Sequence, residues 1–170
     1  MVWYAGWTDK IAQVLGGTNP VAGPFFNFSI PVPSGVVGVV CVQESSLEGF
    51  VDAVLAPLCV GNTVIALASE TRPTPAVLLG EMTSSSDFPG GVLNIVTGFT
   101  DELAPVLAAH EDVDGIDLSG VTPDVADGLA ALGAGSIKRV YRPHEKERAS
   151  SLRRLRAFVE TSTVWHTIGQ

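Results

Sequence analysis

A doubly wound α/β fold is predicted for this chain, with a parallel central sheet and a small antiparallel β-flap made from the two chain ends. Two observations carry the prediction. Apolar, β-branched runs alternate with stretches of helical apolar spacing, and the first three runs lack polar alternation, as strands covered on both faces do. The two ends of the chain depart from this pattern and alternate apolar with polar residues at period two.

In chain order, the first element of note is "FFNFSIPVP", which sets Phe26, Phe28, Ile30 and Val32 against Asn27, Ser29 and Pro31. "GVVGVVCV", "NTVIALA", "GVLNIVTG" and "VDGIDLSG" follow as sheet strands, with the more polar "SIKRVYR" as a fifth. Helical spacing fills the gaps over Leu47 to Val60, Pro75 to Thr83, Asp101 to His110 and Pro123 to Leu132. Thr74-Pro75 and Thr122-Pro123 each place a hydroxyl before a proline suited to the first helical turn. Repeated strand, helix, strand units imply right-handed crossovers and a Rossmann-type sheet. A basic amphipathic helix is expected over roughly residues 145 to 160, with Leu152, Leu155, Phe158 and Val159 as its apolar stripe. The terminal "STVWHTIGQ" alternates Val164, His166 and Ile168 against Thr163, Trp165 and Thr167. The predicted organisation is therefore an N-terminal helix and flap strand over 1–32, a Rossmann-like, degenerate dinucleotide-binding domain over 33–143, and a basic helix with the second flap strand over 144–170.

With 170 residues and 46% hydrophobic content, and a mean hydropathy of +0.32, the chain can bury one proper core. Gly, Pro, Asn and acidic residues interrupt every apolar run well short of the ~20 residues a membrane helix needs. "MVWYAGWTDK" has neither a basic n-region nor an apolar h-region, so no secretory leader and no membrane partner is expected, and the cytoplasm is the expected compartment. Cys41 and Cys59 could form one bridge in principle, but both read as small buried hydrophobes without metal-ligand spacing. The net charge of -8 is unevenly spread. Residues 1–137 hold fifteen of the eighteen acids and only two bases, Lys10 and Arg72. The other eight bases lie between Lys138 and Arg156, which reads either as a partner-facing surface or as a solvated helix face.

The strand-to-helix passage "PSGVVGVVCVQESSLEG" occupies the position of a phosphate-binding turn, yet it has no glycine fingerprint and no lysine. It carries instead an added carboxylate, Glu44. His110, His144 and His166 show no ligand spacing, and His110 reads as a helix end. Asp112, Asp114 and Asp117 read as a solvated turn rather than a magnesium site, so no metal is expected. No nucleophile-elbow motif is present, which argues against hydrolase chemistry. The basic segment lacks stacking aromatics beyond Tyr141, which argues against nucleic acid.

"YAGWTDKI", "NFSIPVPSGVVGVV", "GNTVIALASETRPTP", "PGGVLNIVTGF" and "LAAHEDVDGIDLSG" resemble, in order and nearly in spacing, the first half of an aldehyde dehydrogenase. "LRAFVETSTVW" resembles the family's passage into its oligomerisation strand, while the catalytic lobe between the two is missing. The resemblance also locates losses. The family's Pro-Trp-Asn segment, whose Asn helps form the oxyanion hole, falls on Val42, Gln43 and Glu44, and an ionised carboxylate cannot donate to an oxyanion. The ribose-gripping lysine falls on Leu67, whereas Glu70 matches the ribose-binding glutamate. In the phosphate turn Gly120 is kept, but Val121 stands for a serine and Pro123 for a glutamate. The general-base glutamate aligns with Pro143, and neither cysteine corresponds to the nucleophile.

These departures imply a pseudoenzyme similar to the C-terminal degenerate unit of family 16 aldehyde dehydrogenases, with no catalytic residues and with Glu70 and Gly120 as residual cofactor-site candidates. NAD is expected to bind weakly or not at all, because each lost contact to a charged group costs ~1.5 to 3 kcal/mol. The implied role is dimerisation or assembly of a longer parent enzyme, with Phe26, Phe28, Ile30, Val164, Trp165, His166 and Ile168 as the interface. Its partner would be the parent's catalytic unit or a second subunit in a homo-oligomer. Two alternatives remain: the NAD-binding portion of an active dehydrogenase, and a small-nucleotide sensor built on Glu70.

Overall fold

The computed structural model describes residues 1–45, 47–143 and 150–168. Two short helices, α1 (Val2–Ala5) and α2 (Ile11–Leu15), precede the flap strands β1 (Gly17–Asn19) and β2 (Phe25–Pro33). The central unit runs β3 (Val36–Val40), α3 (Glu48–Cys59), β4 (Thr63–Leu67), α4 (Thr74–Ser84), β5 (Leu93–Val96), α5 (Thr100–Ala109), β6 (Gly115–Asp117), α6 (Pro123–Gly133) and β7 (Arg139–Tyr141). The chain closes with α7 (Leu152–Ala157) and β8 (Val159–Thr167).

All neighbours in the five-stranded sheet are parallel, in the order β5-β4-β3-β6-β7. Side chains alternate across it with period two, so Val37, Val39, Val64 and Ala66 enter one apolar layer with Phe50, Val54, Leu155 and Phe158. Val40 and Leu67 enter the other, with Ala104, Ala108, Ile116, Leu118 and Leu129. Helices thus cover both faces, as the unalternating strands require. Gly38 permits the close seat of α5, because a Cβ there would lie 2.7 Å from Leu107 Cγ.

Several elements differ from expectation. "GVLNIVTG" is not covered on both faces: β5 is the sheet edge, and its residues alternate between half-buried and exposed. α4 begins at Thr74 itself, so that hydroxyl is not its cap, and Thr122 takes the N-cap position of α6 without a side-chain cap bond. The C-terminal helix spans only Leu152–Ala157 within the described residues, and residues 144–149 of its expected range lie outside them. Val159, expected on the helix stripe, opens β8, which lengthens that strand to nine residues.

The second sheet is antiparallel in the order β1-β2-β8, with β1 unforeseen. Its register pairs Phe28 with Val164, Phe26 with His166 and Asn27 with Trp165. The carbonyl of Phe158 accepts from Asn62 Nδ2 (2.9 Å) and from the Ser34 amide (3.3 Å), which ties the flap's base to the parallel sheet. Among the described residues no helix is long and apolar enough to cross a membrane.

Candidate functional site

The parallel sheet grows outward from β3 to β4 and β5, then restarts on the other side with β6. Ligands of doubly wound sheets sit at the carboxyl ends of the strands flanking that switch. Here the loops at those ends are tied to one another by their own side chains. Gln43 Nε2 donates to Cys41 O (2.9 Å), its Oε1 accepts from the Glu70 amide (2.8 Å), and its carbonyl accepts from Ser69 Oγ (2.9 Å). Arg72 Nη1 donates to Glu44 O (2.9 Å). The Glu70 carboxylate accepts from the amide of Thr100, the first residue of α5, where a negative charge complements the helix dipole. Hydrogen bonds from the Thr100 side chain and backbone hold the Glu70 carboxyl below its ordinary range.

Gly120 lies after β6, across β3 from Glu70. Its amide donates to Val40 O (3.0 Å), and a Cβ there would lie 2.0 Å from Cys41 O, so the position demands glycine for a close backbone approach. Leu67 is 2% exposed, within the second apolar layer. Cys41 is buried, and desolvation, aided by the Asp117 charge, pushes its thiol up to about 12, so it is not a thiolate near neutrality. Cys59 is half-buried and donates to Tyr4 O, and both cysteines are free.

The flap has the opposite character. Cross-strand partners share a face, so Phe26, Phe28, Ile30 and Val164 lie together, and the Phe26 and Phe28 rings sit 5.4 Å apart. Phe26 is 45%, Ile30 40%, Val164 37% and Ile168 56% exposed. Trp165 lies on the other face, beside Phe25 at 5.7 Å and opposite the buried Asn27. His166 is on the apolar face and exposed.

Two bases of the basic segment, Lys138 and Arg154, turn inward. Arg154 is 5% exposed and paired with Asp52 and Asp117. Lys138 Nζ donates to the carbonyl of His110, which follows α5 as expected. Arg139 pairs with Glu160, Arg142 with Asp127, and Arg153 donates to Arg142 O while lying over the Tyr141 ring. For the buried Lys138 and Arg154 both outward-facing readings are corrected, whereas Arg153 and Arg156 are exposed and Arg139 and Arg142 half-exposed; Lys146 and Arg148 lie outside the described residues. Asp117 is likewise not part of a solvated turn, being fully buried, whereas Asp112 and Asp114 are exposed. The missed signal was an acid at an apolar strand position and another, Asp52, on the inward side of α3. Such positions call for a buried cation. His144 lies outside the described residues, and among those described no group of three or more His, Cys, Asp or Glu could hold a metal.

Residues 1–142 match the aldehyde dehydrogenase family. Aldehyde dehydrogenase 1A1 of Gallus gallus is 35% identical over 136 residues, 80% of this chain and 26% of that protein. Retinal dehydrogenase 2 of Homo sapiens is 35% identical over 138 residues, 81% of this chain and 26% of its own length. A solved NAD+ complex of aldehyde dehydrogenase from Bacillus cereus superposes with a TM-score of 0.75 at 29% identity, over 81% of this chain and 27% of that one. The chain spans about a quarter of the length of the curated relatives it matches. Fold, strand order and a match over most of its length together make this chain a member of the aldehyde dehydrogenase family.

Proposed function

We propose that this chain is a non-catalytic, aldehyde dehydrogenase-like module whose role is structural: it supports dimerisation and assembly of a larger aldehyde dehydrogenase. The observation that carries this reading is the flap, which leaves an apolar face exposed and, among the described residues, a nine-residue strand, β8, bonded along one side only. An unpaired edge beside exposed apolar area is a template for another chain. The occupant is the catalytic unit of the parent chain or a second subunit, as in a family 16 arrangement.

The strand-end mouth supports the same reading. Glu70 already accepts from Thr100, the Gly120 amide from which a phosphate could accept donates to Val40, and Leu67 offers neither charge nor donor. These residues do not fit a tightly held dinucleotide, and no catalytic step is derived through one. Deleting residues 163–170 tests the assembly role: the mass in solution, or binding to the parent's catalytic unit, is expected to fall, and an unchanged value rejects it.

A second reading, the NAD-binding portion of an active dehydrogenase, is favoured by Glu70 standing at the end of β4. Three tryptophans allow a quenching titration. Saturation at micromolar NAD would establish this reading over the structural one.

A further inference from the structure

We propose that the buried Asp52–Arg154–Asp117 cluster is a latch that seats both chain ends on the parallel sheet and so sets how β8 is presented, an inference that rests on the assembly reading above. Arg154 is the positioning residue. Its Nε and Nη2 donate to Asp117 Oδ2 at 3.0 and 2.7 Å, and its Nη1 donates to Asp52 Oδ2 at 2.7 Å. Nη2 also reaches Ser119 Oγ at 3.2 Å, and the guanidinium lies 5.3 Å from the Tyr141 ring centroid. One side chain of α7 thus grips the end of β6, the buried side of α3 and the end of β7.

The same cluster holds the other chain end. Tyr4 of α1 donates from its hydroxyl to Asp52 Oδ1 (2.5 Å) and Asp52 O (3.1 Å). From Tyr4 the chain leads through α2 into β1 and β2, and from Arg154 it reaches Val159, the start of β8, within one helical turn and a half. The two strands paired over nine residues in the flap are therefore each anchored through Asp52.

Charge makes the seat decisive. Asp52 and Asp117 each pair with the Arg154 guanidinium, and Tyr4, Ser119, Tyr141 and Cys41 complete its surroundings. Without it two carboxylates remain buried, a state far less favourable than either the complete cluster or an uncharged one. The pairing joins residues 102 and 37 positions apart, so it forms only when α7 is docked.

Arg154→Met keeps much of the apolar stem and removes the charge. Hydrogen exchange is expected to rise about tenfold or more in residues 152–168, while β3 and β4 keep their protection, as local opening requires. The self-association or partner binding of the chain is expected to weaken in parallel. Adding Asp52→Asn and Asp117→Asn to this variant is expected to restore exchange to within about threefold of wild type, because the buried repulsion is gone. Wild-type protection in Arg154→Met, or an equal loss across β3, β4 and β8, would overturn the latch. Should Arg154→Met not fold, Arg154→Lys, which keeps the charge without the fork, decides by the same regional contrast. A monomeric wild type without partner binding would reject the assembly reading; the exchange pattern decides the latch independently.

Discussion

The mouth of the parallel sheet and the face of the flap treat their side chains in opposite ways. At the mouth, Gln43, Ser69, Glu70 and Arg72 bond across neighbouring loops, and Gly120 lets two backbones touch. On the flap, Phe26, Ile30, Val164 and Ile168 present apolar area to solvent beside an unpaired strand edge. A loop network whose Gln43, Ser69 and Glu70 groups already bond one another offers those groups to a ligand only by breaking existing bonds. An apolar sheet face left in solvent gains by being covered. The contrast locates the molecule's unfinished business on the flap.

Four variants probe the mouth and the flap, in decreasing order of expected stability loss. Gly120→Ala drives a methyl into the Cys41 carbonyl and is expected to destabilise the fold by about 2 to 3 kcal/mol in denaturant unfolding. Wild-type stability there would mean that the mouth is looser than its geometry implies. Gln43→Ala removes a half-buried hub of the loop network; a loss of about 1 kcal/mol is expected by the same measurement. The paired substitution Ile30→Glu with Val164→Lys, opposite charges on the same face, should leave monomer stability within about 1 kcal/mol, since both sites are partly exposed, yet abolish association in sedimentation. Retained association would move the docking surface elsewhere.

Glu70→Gln is expected to have the mildest effect, and its pH dependence carries the information. The folded-state carboxyl is held low by Thr100, so its contribution is present above the ordinary carboxylate range and is lost as pH falls through the depressed value. Thermal melts of wild type and variant should therefore differ at pH 7 and converge as acid protonates the group. Equal melting at both ends would show that the contact with α5 adds nothing.

Much of the fold was legible. Val37, Val39, Val64 and Ala66 fall on one face of the sheet because period two is a property of the extended backbone, and the helices between them were readable from apolar spacing. The alternation of β2 and β8 correctly grouped Phe26, Phe28, Ile30 and Val164, and it equally placed Trp165 on the opposite face. The mouth's network was not legible: nothing local says that Gln43 bonds Glu70, since that contact requires β3 and β4 to lie side by side.

Residues within a few positions of each other were enough to read most strands and helices and their alternation, though not β1, and motifs spread along the chain pointed to the family. The folded chain adds that β5 is an edge, that β8 begins at Val159, and that among the clustered bases Lys138 and Arg154 are buried while Arg153 and Arg156 stay exposed. The reason is that a charge's partner is set by distance in space, and folding brings Arg154 against Asp52 from 102 positions away.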